Sequence, residues 1–158
     1  MRAIAARAVV GIVLSGIMLL GIVFSAGCAK QLAGQPAALP VASIDQALIA
    51  DYFAASNASA RDGADAQQKF VSRTKHPDAP RACDLHGLTL LLEPSLGTLR
   101  PDNEWRPPGS NEAPRGRVYV LAVTVTVQRD KNTLGKQVGS MHVVVLDAMA
   151  YGFAPCPS

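Results

Sequence analysis

Charge and aromatic rings are scarce in this chain of 158 residues: 17% are charged and 5% aromatic, with a single tryptophan. No run of Lys or Arg follows Arg7, and no basic stripe is interleaved with aromatics. A phosphate-binding face has no residues to build it, so no nucleic-acid partner is expected. A Gly-rich phosphate loop, a G-x-S-x-G elbow, an H-E-x-x-H helix and paired metal carboxylates are all missing. Without those motifs no cofactor, no metal and no catalytic residue is expected. What is plentiful is apolar: 49% of the residues, with a mean hydropathy of +0.18. That balance excludes a disordered chain, and the length allows one domain and hardly two.

The apolar excess is concentrated at the start. Arg2 and Arg7 precede residues 8–27, which are 20 positions without a charge. A basic start, an apolar middle and small residues at the exit are the parts of an export signal. Such a run also spans a bilayer as a helix at about 1.5 Å per residue, so an uncleaved signal anchor fits, as does plain secretion. An anchor would keep the arginines inside and the domain outside. Without Arg2 and Arg7 the rest carries 13 basic and 12 acidic residues, a nearly neutral balance. Ser25-Ala26-Gly27-Cys28 resembles the lipobox of bacterial lipoproteins, with Ser25 where an aliphatic residue is usual. The resemblance implies that Cys28 becomes the mature N-terminus and carries the lipid. Every one of these readings puts the domain outside the cytoplasmic membrane: on its outer face in the cell envelope if lipid-anchored or signal-anchored, or else secreted. The organisation is then 1–27 as signal or anchor, 28–42 as an Ala/Gly/Pro-rich linker, and 43–158 as one domain.

Cys83 and Cys156 remain. An even pair in an exported domain reads as a disulfide, here closing a loop of about 73 residues. The chain-entropy model values such a cross-link at roughly 4 kcal/mol. Free thiols are one alternative. A zinc site is the other, built on Cys83-Asp84-Leu85-His86 with His76 and Cys156.

The domain begins with helical periodicity. Ser43 and Gln46 match a capping box, and Ile44, Ala47, Leu48, Tyr52 and Ala55 recur at helical spacing. Arg61-Asp62-Gly63 breaks that pattern, and a second helix is predicted from Asp65 to about Thr74, with Phe70 and Val71 buried. His76-Pro77-Asp78-Ala79-Pro80 ends it. An apolar first strand is predicted over 85–92, stopped by Glu93-Pro94. Residues 97–116 then read as a long Pro-rich loop. Residues 117–128 and 136–147 predict an antiparallel hairpin around a polar turn at 129–135. Tyr119, Leu121, Val123, Val125 and Val127 share one of its faces, with Met141, Val143 and Val145 on one face of the return strand. Residues 148–153 add a short final strand.

Helices first and an antiparallel sheet afterwards predict an α+β domain, with N-terminal helices packed on a curved antiparallel sheet. That order resembles the NTF2-like and cystatin-like superfamily over residues 43–156. The basic start, the Cys28 exit, the Ala-rich chain and the Cys83/Cys156 pair resemble small exported lipoproteins of mycobacteria and related actinobacteria. That resemblance implies a location more than a chemistry.

Few residues suggest a chemistry of their own. His76-Pro77-Asp78 resembles the HPD tripeptide of J-domain cochaperones, but a strand rather than a helix is predicted after it, so it reads as a Pro-bounded loop. His76, Asp78, Asp84 and His86 could supply a general base and its orienter. His142 shares a strand face with Ser140, Val144 and Leu146, and Trp105 sits in the Pro-rich loop, either as an exposed binding anchor or as a lid on the core. Trp105 and His142 are therefore the expected contacts for a ligand or partner. The expected function is a membrane-tethered, non-catalytic module that binds an envelope protein or a small apolar ligand. The alternative is a small NTF2-like enzyme of the isomerase or dehydratase type, using His142 or His76 with Asp78.

Overall fold

The computed structural model describes residues 41–79 and 83–153. Cys28, Cys156, the charge-free run 8–27 and the linker up to residue 40 lie outside the described residues. No helix among the described residues is long and apolar enough to cross a membrane.

Helix α1 (Ser43–Asp62) turns a seam of Asp45, Ile49, Tyr52, Phe53, Ser56 and Ala60 inward. The seam repeats every three or four residues, as a helix packed on one side requires. It is rotated from the predicted stripe: Ile44, Ala47 and Ala55 are exposed. The rotation brings two polar residues, Asp45 and Ser56, into the seam, and only partners elsewhere in the fold make that tolerable. The capping box does not form either. Ala42 is the N-cap, no side chain caps the helix, and the Gln46 N–H bonds the Ala42 carbonyl at 3.1 Å. Gly63, at φ 121°, separates α1 from α2 (Ala64–Arg73), which buries Gln67, Phe70 and Val71.

Four strands follow: β1 (Thr89–Pro101), β2 (Arg117–Arg129), β3 (Asn132–Leu146) and β4 (Met149–Gly152). They form one open antiparallel sheet in the order β1-β2-β3-β4. The α+β class and the existence of the long hairpin are as the sequence predicts, but the predicted turn over 129–135 shrinks to Asp130 and Lys131, and β3 starts at Asn132 rather than 136. Both β2–β3 and β3–β4 close through two-residue turns. Asp130 and Lys131, then Asp147 and Ala148, all take positive φ of 49–66°. That backbone twist matches the strands, although it is usually supplied by Asn or Gly.

The inner sheet face carries Leu90, Leu92, Tyr119, Leu121, Val123, Val125, Met141, Val143 and Val145. Ile49, Tyr52 and Phe53 of α1, and Phe70 and Val71 of α2, complete this core. Burying a side chain such as Phe53 contributes about 1.5–3 kcal/mol.

The first strand departs from the prediction. It starts at Thr89, after a turn at His86 and Gly87, and continues through Glu93 and Pro94 to Pro101, with a break in register between Ser95 and Arg100. The long loop is correspondingly shorter, 102–116. Proline survives because β1 is an edge strand. Leu90 and Leu92 point their N–H and C=O away from β2, so Pro94, two residues further in the same phase, loses only an outward N–H.

Those outward groups are met by side-chain amides. Gln67 donates Nε2–H to the Leu90 carbonyl and accepts the Leu90 N–H, both at 2.7 Å. Asn57 does the same for Leu92, both at 2.7 Å. Gln68 donates to the Cys83 carbonyl at 2.8 Å and accepts the Leu85 N–H at 2.9 Å. Each amide stands in for one residue of a neighbouring strand, and together they fix α1 and α2 along the β1 edge.

Gln67 is buried, so Gln67→Ala would strand two backbone groups with little water to replace it. The expected loss is about 2–4 kcal/mol of unfolding free energy in urea. Gln46→Ala, on the exposed face of α1, is expected to stay within about 0.5 kcal/mol.

Candidate functional site

The loop 102–116 lies over part of the outer sheet face, where Trp105 stacks on His142. Val118, Val120 and Val144 are buried beneath it. Gly116, at φ 103°, brings the loop back to β2, and a Cβ there would lie 2.6 Å from the Val145 carbonyl oxygen. Only glycine fits so close an approach.

Two side-chain latches hold the loop. The first joins its start to β3. His142 Nε2 lies 2.9 Å from Asp102 Oδ2, and Trp105 stacks flat on the imidazole with centroids 4.2 Å apart at 13°. Trp105 and His142 are thus brought together, and the ring faces they turn toward each other are spent on the stack. The histidine is 18% and the aspartate 29% exposed. Trp105 is a half-buried lid, one of its two expected roles.

The second latch joins the loop's end to the segment after α2. Asp78 accepts from Arg115 Nε and Nη2, at 3.1 and 2.8 Å, and from the Arg115 N–H at 3.0 Å. His76 is fully buried. Its Nε2 meets the Arg115 carbonyl at 3.0 Å, and its Nδ1 meets the Asp78 N–H at 3.0 Å. A carbonyl can only accept and an N–H can only donate, so His76 is the neutral Nε2–H tautomer. Between the latches runs a file of rings. Trp105 meets Phe153 at 4.8 Å, Phe153 stacks on His76 at 5.0 Å, and His76 meets Tyr151 at 5.6 Å.

Electrostatics follow from these contacts. Burial pushes the His76 imidazole below its ordinary value, against the opposing pull of the Arg115 carbonyl and Asp78. The Arg115 guanidinium holds the Asp78 carboxyl down at about 2. A third polar group lies on the other side of the sheet. Asp45 is buried in the first turn of α1 and accepts from Arg117 Nε and Nη2, both at 2.6 Å, and from the Tyr119 hydroxyl. Arg117 lowers its pKa against the cost of burial.

The histidine–carboxylate pairs predicted as candidates do not assemble into one site. His86 pairs only with Asp84, at 3.6 Å, and both are exposed. Both ring nitrogens of His76 are already bonded. A surface cavity of about 250 Å³ beside the second latch is lined by Asp78, Pro107, Ser110, Glu112, Pro114 and Arg115, with neither His76 nor His142 on its wall. Cys83 is disulfide-bonded, so it offers no thiolate and the zinc alternative loses its first ligand. No group of His, Cys, Asp and Glu suited to a metal ion occurs among the described residues.

Asp102, Arg115, Asp45 and Arg117 are the residues the sequence did not single out. Their partners are 37 to 74 positions away, so no local spacing signals them. No protein-family model matches this chain, and neither a curated protein nor a solved structure does.

The latches make two measurable demands. Trp105 is the sole fluorophore of its kind, so His142→Ala is expected to red-shift its emission as the loop start loosens. For His76 the folded pKa lies below the unfolded 6.5. The unfolded chain therefore binds the proton first, and stability is expected to fall as pH drops below about 6.5. Asp78 adds stability above about pH 4 that is lost as pH falls toward 2. Urea midpoints at pH 7.5, 5 and 2.5 should fall in two steps. His76→Gln should flatten the first step.

Proposed function

We propose that the chain is a membrane-tethered lipoprotein of the cell envelope, acting as a non-catalytic accessory module that binds a partner protein. The disulfide at Cys83 carries the reading, because such bonds persist in oxidising compartments outside the cytoplasm. Arg2, Arg7, the apolar run 8–27 and Cys28 supply the route there, with Cys28 as the lipidated residue. Cys156 is the partner we assign to Cys83. Its bond would tie the C-terminus to the segment that Gln68 holds against α2. The finer fold we assign is NTF2-like or cystatin-like, on the order of the elements and on α1 lying against one face of the sheet. The actinobacterial resemblance belongs to the same reading.

The geometry favours a protein over a small apolar ligand. Phe53, Ile49 and Leu85 fill the inner face, and Trp105 with His142 closes the outer one. Exposed apolar side chains remain at Ile44, Leu134, Val138 and Met149, where a partner's surface would reach them. One observation supports the enzyme alternative: His142 and Asp102 lie within hydrogen-bond reach of each other, the geometry of a base and its orienter. Trp105 would have to swing off His142 before a substrate could enter.

The test is intact mass spectrometry of the protein isolated from membranes, unreduced and with thiols blocked. The expected mass starts at Cys28 plus diacylglycerol, with Cys83 and Cys156 unlabelled. A full-length mass with labelled thiols would overturn the reading. Cys83→Ser and Cys156→Ser are each expected to lower the melting temperature by a similar amount, since either one frees the unfolded chain.

A further inference from the structure

The sheet has three stretches of backbone edge, and two of them are partly met by hydrogen bonds among the described residues. On β1, Gln67 and Asn57 bond the outward groups of Leu90 and Leu92. On β4, the Gly152 N–H bonds the Thr74 carbonyl at 3.2 Å, and the His76 N–H meets the Gly152 carbonyl at 3.4 Å. The third stretch lies on β3. That strand pairs with β2 along its whole length, but β4 covers only Val143 to Leu146. From Asn132 to His142 its far side carries no strand among the described residues.

Strand phase identifies the groups left over. Leu146 and Met149 flank a two-residue turn, so Leu146 turns its backbone toward β4. Alternation then sends the N–H and C=O of Val144 the same way, and those of His142, Ser140, Val138 and Lys136 out past the end of β4. No backbone hydrogen bond reaches these last four from that side among the described residues. Of the usual protections of an edge, this stretch has only a lysine. Between Gly135 and His142 there is no proline, and Lys136 is the only charge. The register shift lies at Val127/Gln128, before this stretch. Residues 132–140 are exposed throughout, with Val138 at 77%.

We propose that this edge pairs with the same edge of a second copy of the chain, antiparallel and about a two-fold axis at Val138. In that register Val138 faces its own counterpart, and Lys136 faces Ser140 of the other copy. No like charges meet, and Lys136 already has Glu93 of its own chain at 3.4 Å. The pairing satisfies Lys136, Val138 and Ser140 on both copies and joins two four-stranded sheets into one of eight. The nearly neutral charge of residues 28–158 opposes association only weakly. An isologous contact consumes the β3 edge on both partners, so this pairing closes at two copies. The proposal rests on the sheet alone and stands apart from the tether.

The test is sedimentation equilibrium of the full chain in detergent over a concentration series. Wild type is expected to be a dimer. Val138→Pro removes only an outward N–H and leaves the β2 ladder whole. It should be monomeric with an unchanged circular dichroism spectrum. Should that variant misfold, Val138→Lys keeps the backbone and places two ammonium groups at the axis. It should raise the dimer dissociation constant at least tenfold. Val138→Cys should cross-link to itself under mild oxidation, because opposed residues of a hydrogen-bonded pair lie about 5.5 Å apart, within disulfide range. A monomeric wild type, or a dimer unaffected by Val138→Lys, would overturn the proposal. The second outcome would place self-association in the N-terminal segment. Neither result alters the mass expected for the mature lipoprotein.

Discussion

An open sheet must find partners for the backbone groups along its edges, and that requirement organises this protein. A buried N–H or C=O left unpaired costs about as much as several good contacts gain. Here the start of the β1 edge, at Leu90 and Leu92, is closed by side chains rather than by another strand. Gln67 and Asn57 each offer an amide with the donor and acceptor of a peptide group, set at the strand's own spacing. The position of both helices follows from this. They must run where three amides can reach Leu85, Leu90 and Leu92, and the apolar seam of α1 then falls on the inner face.

The same economy explains the histidines. Two of the three are used as fasteners for a long loop. His76 is held in one tautomer by a carbonyl on one side and an N–H on the other, and its face carries Phe153. His142 bonds Asp102 and supports Trp105. A loop of fifteen residues with three prolines and little secondary structure would ordinarily be mobile. Two latches and a file of stacked rings give it a single resting place over Val118, Val120 and Val144.

Asp45 raises the opposite issue, a carboxylate with no exposure at all. Arg117 and Tyr119 offset its desolvation. Arg117 is itself 61% exposed, so the pair is anchored inside and solvated outside. Such a half-buried bridge avoids much of the penalty of removing two ions from water, and it fixes the start of α1 against β2.

Much of the architecture was legible from residue types and local period. The β2–β3 hairpin could be read from β-branched alternation, which is a property of ten neighbouring residues. The α+β order came from the same source, as did the buried faces of Met141, Val143 and Val145. What the sequence could not determine depends on partners far along the chain. The α1 seam rotates because Asp45 meets Arg117, 72 residues on. Pro94 belongs to a strand because that strand is an edge, and only the sheet order makes it one. Trp105 became a lid because β3 presents His142 beneath it. Local propensity acts through neighbours in sequence, whereas hydrogen-bond satisfaction and ring stacking act through neighbours in space. Only the folded sheet determines which those are.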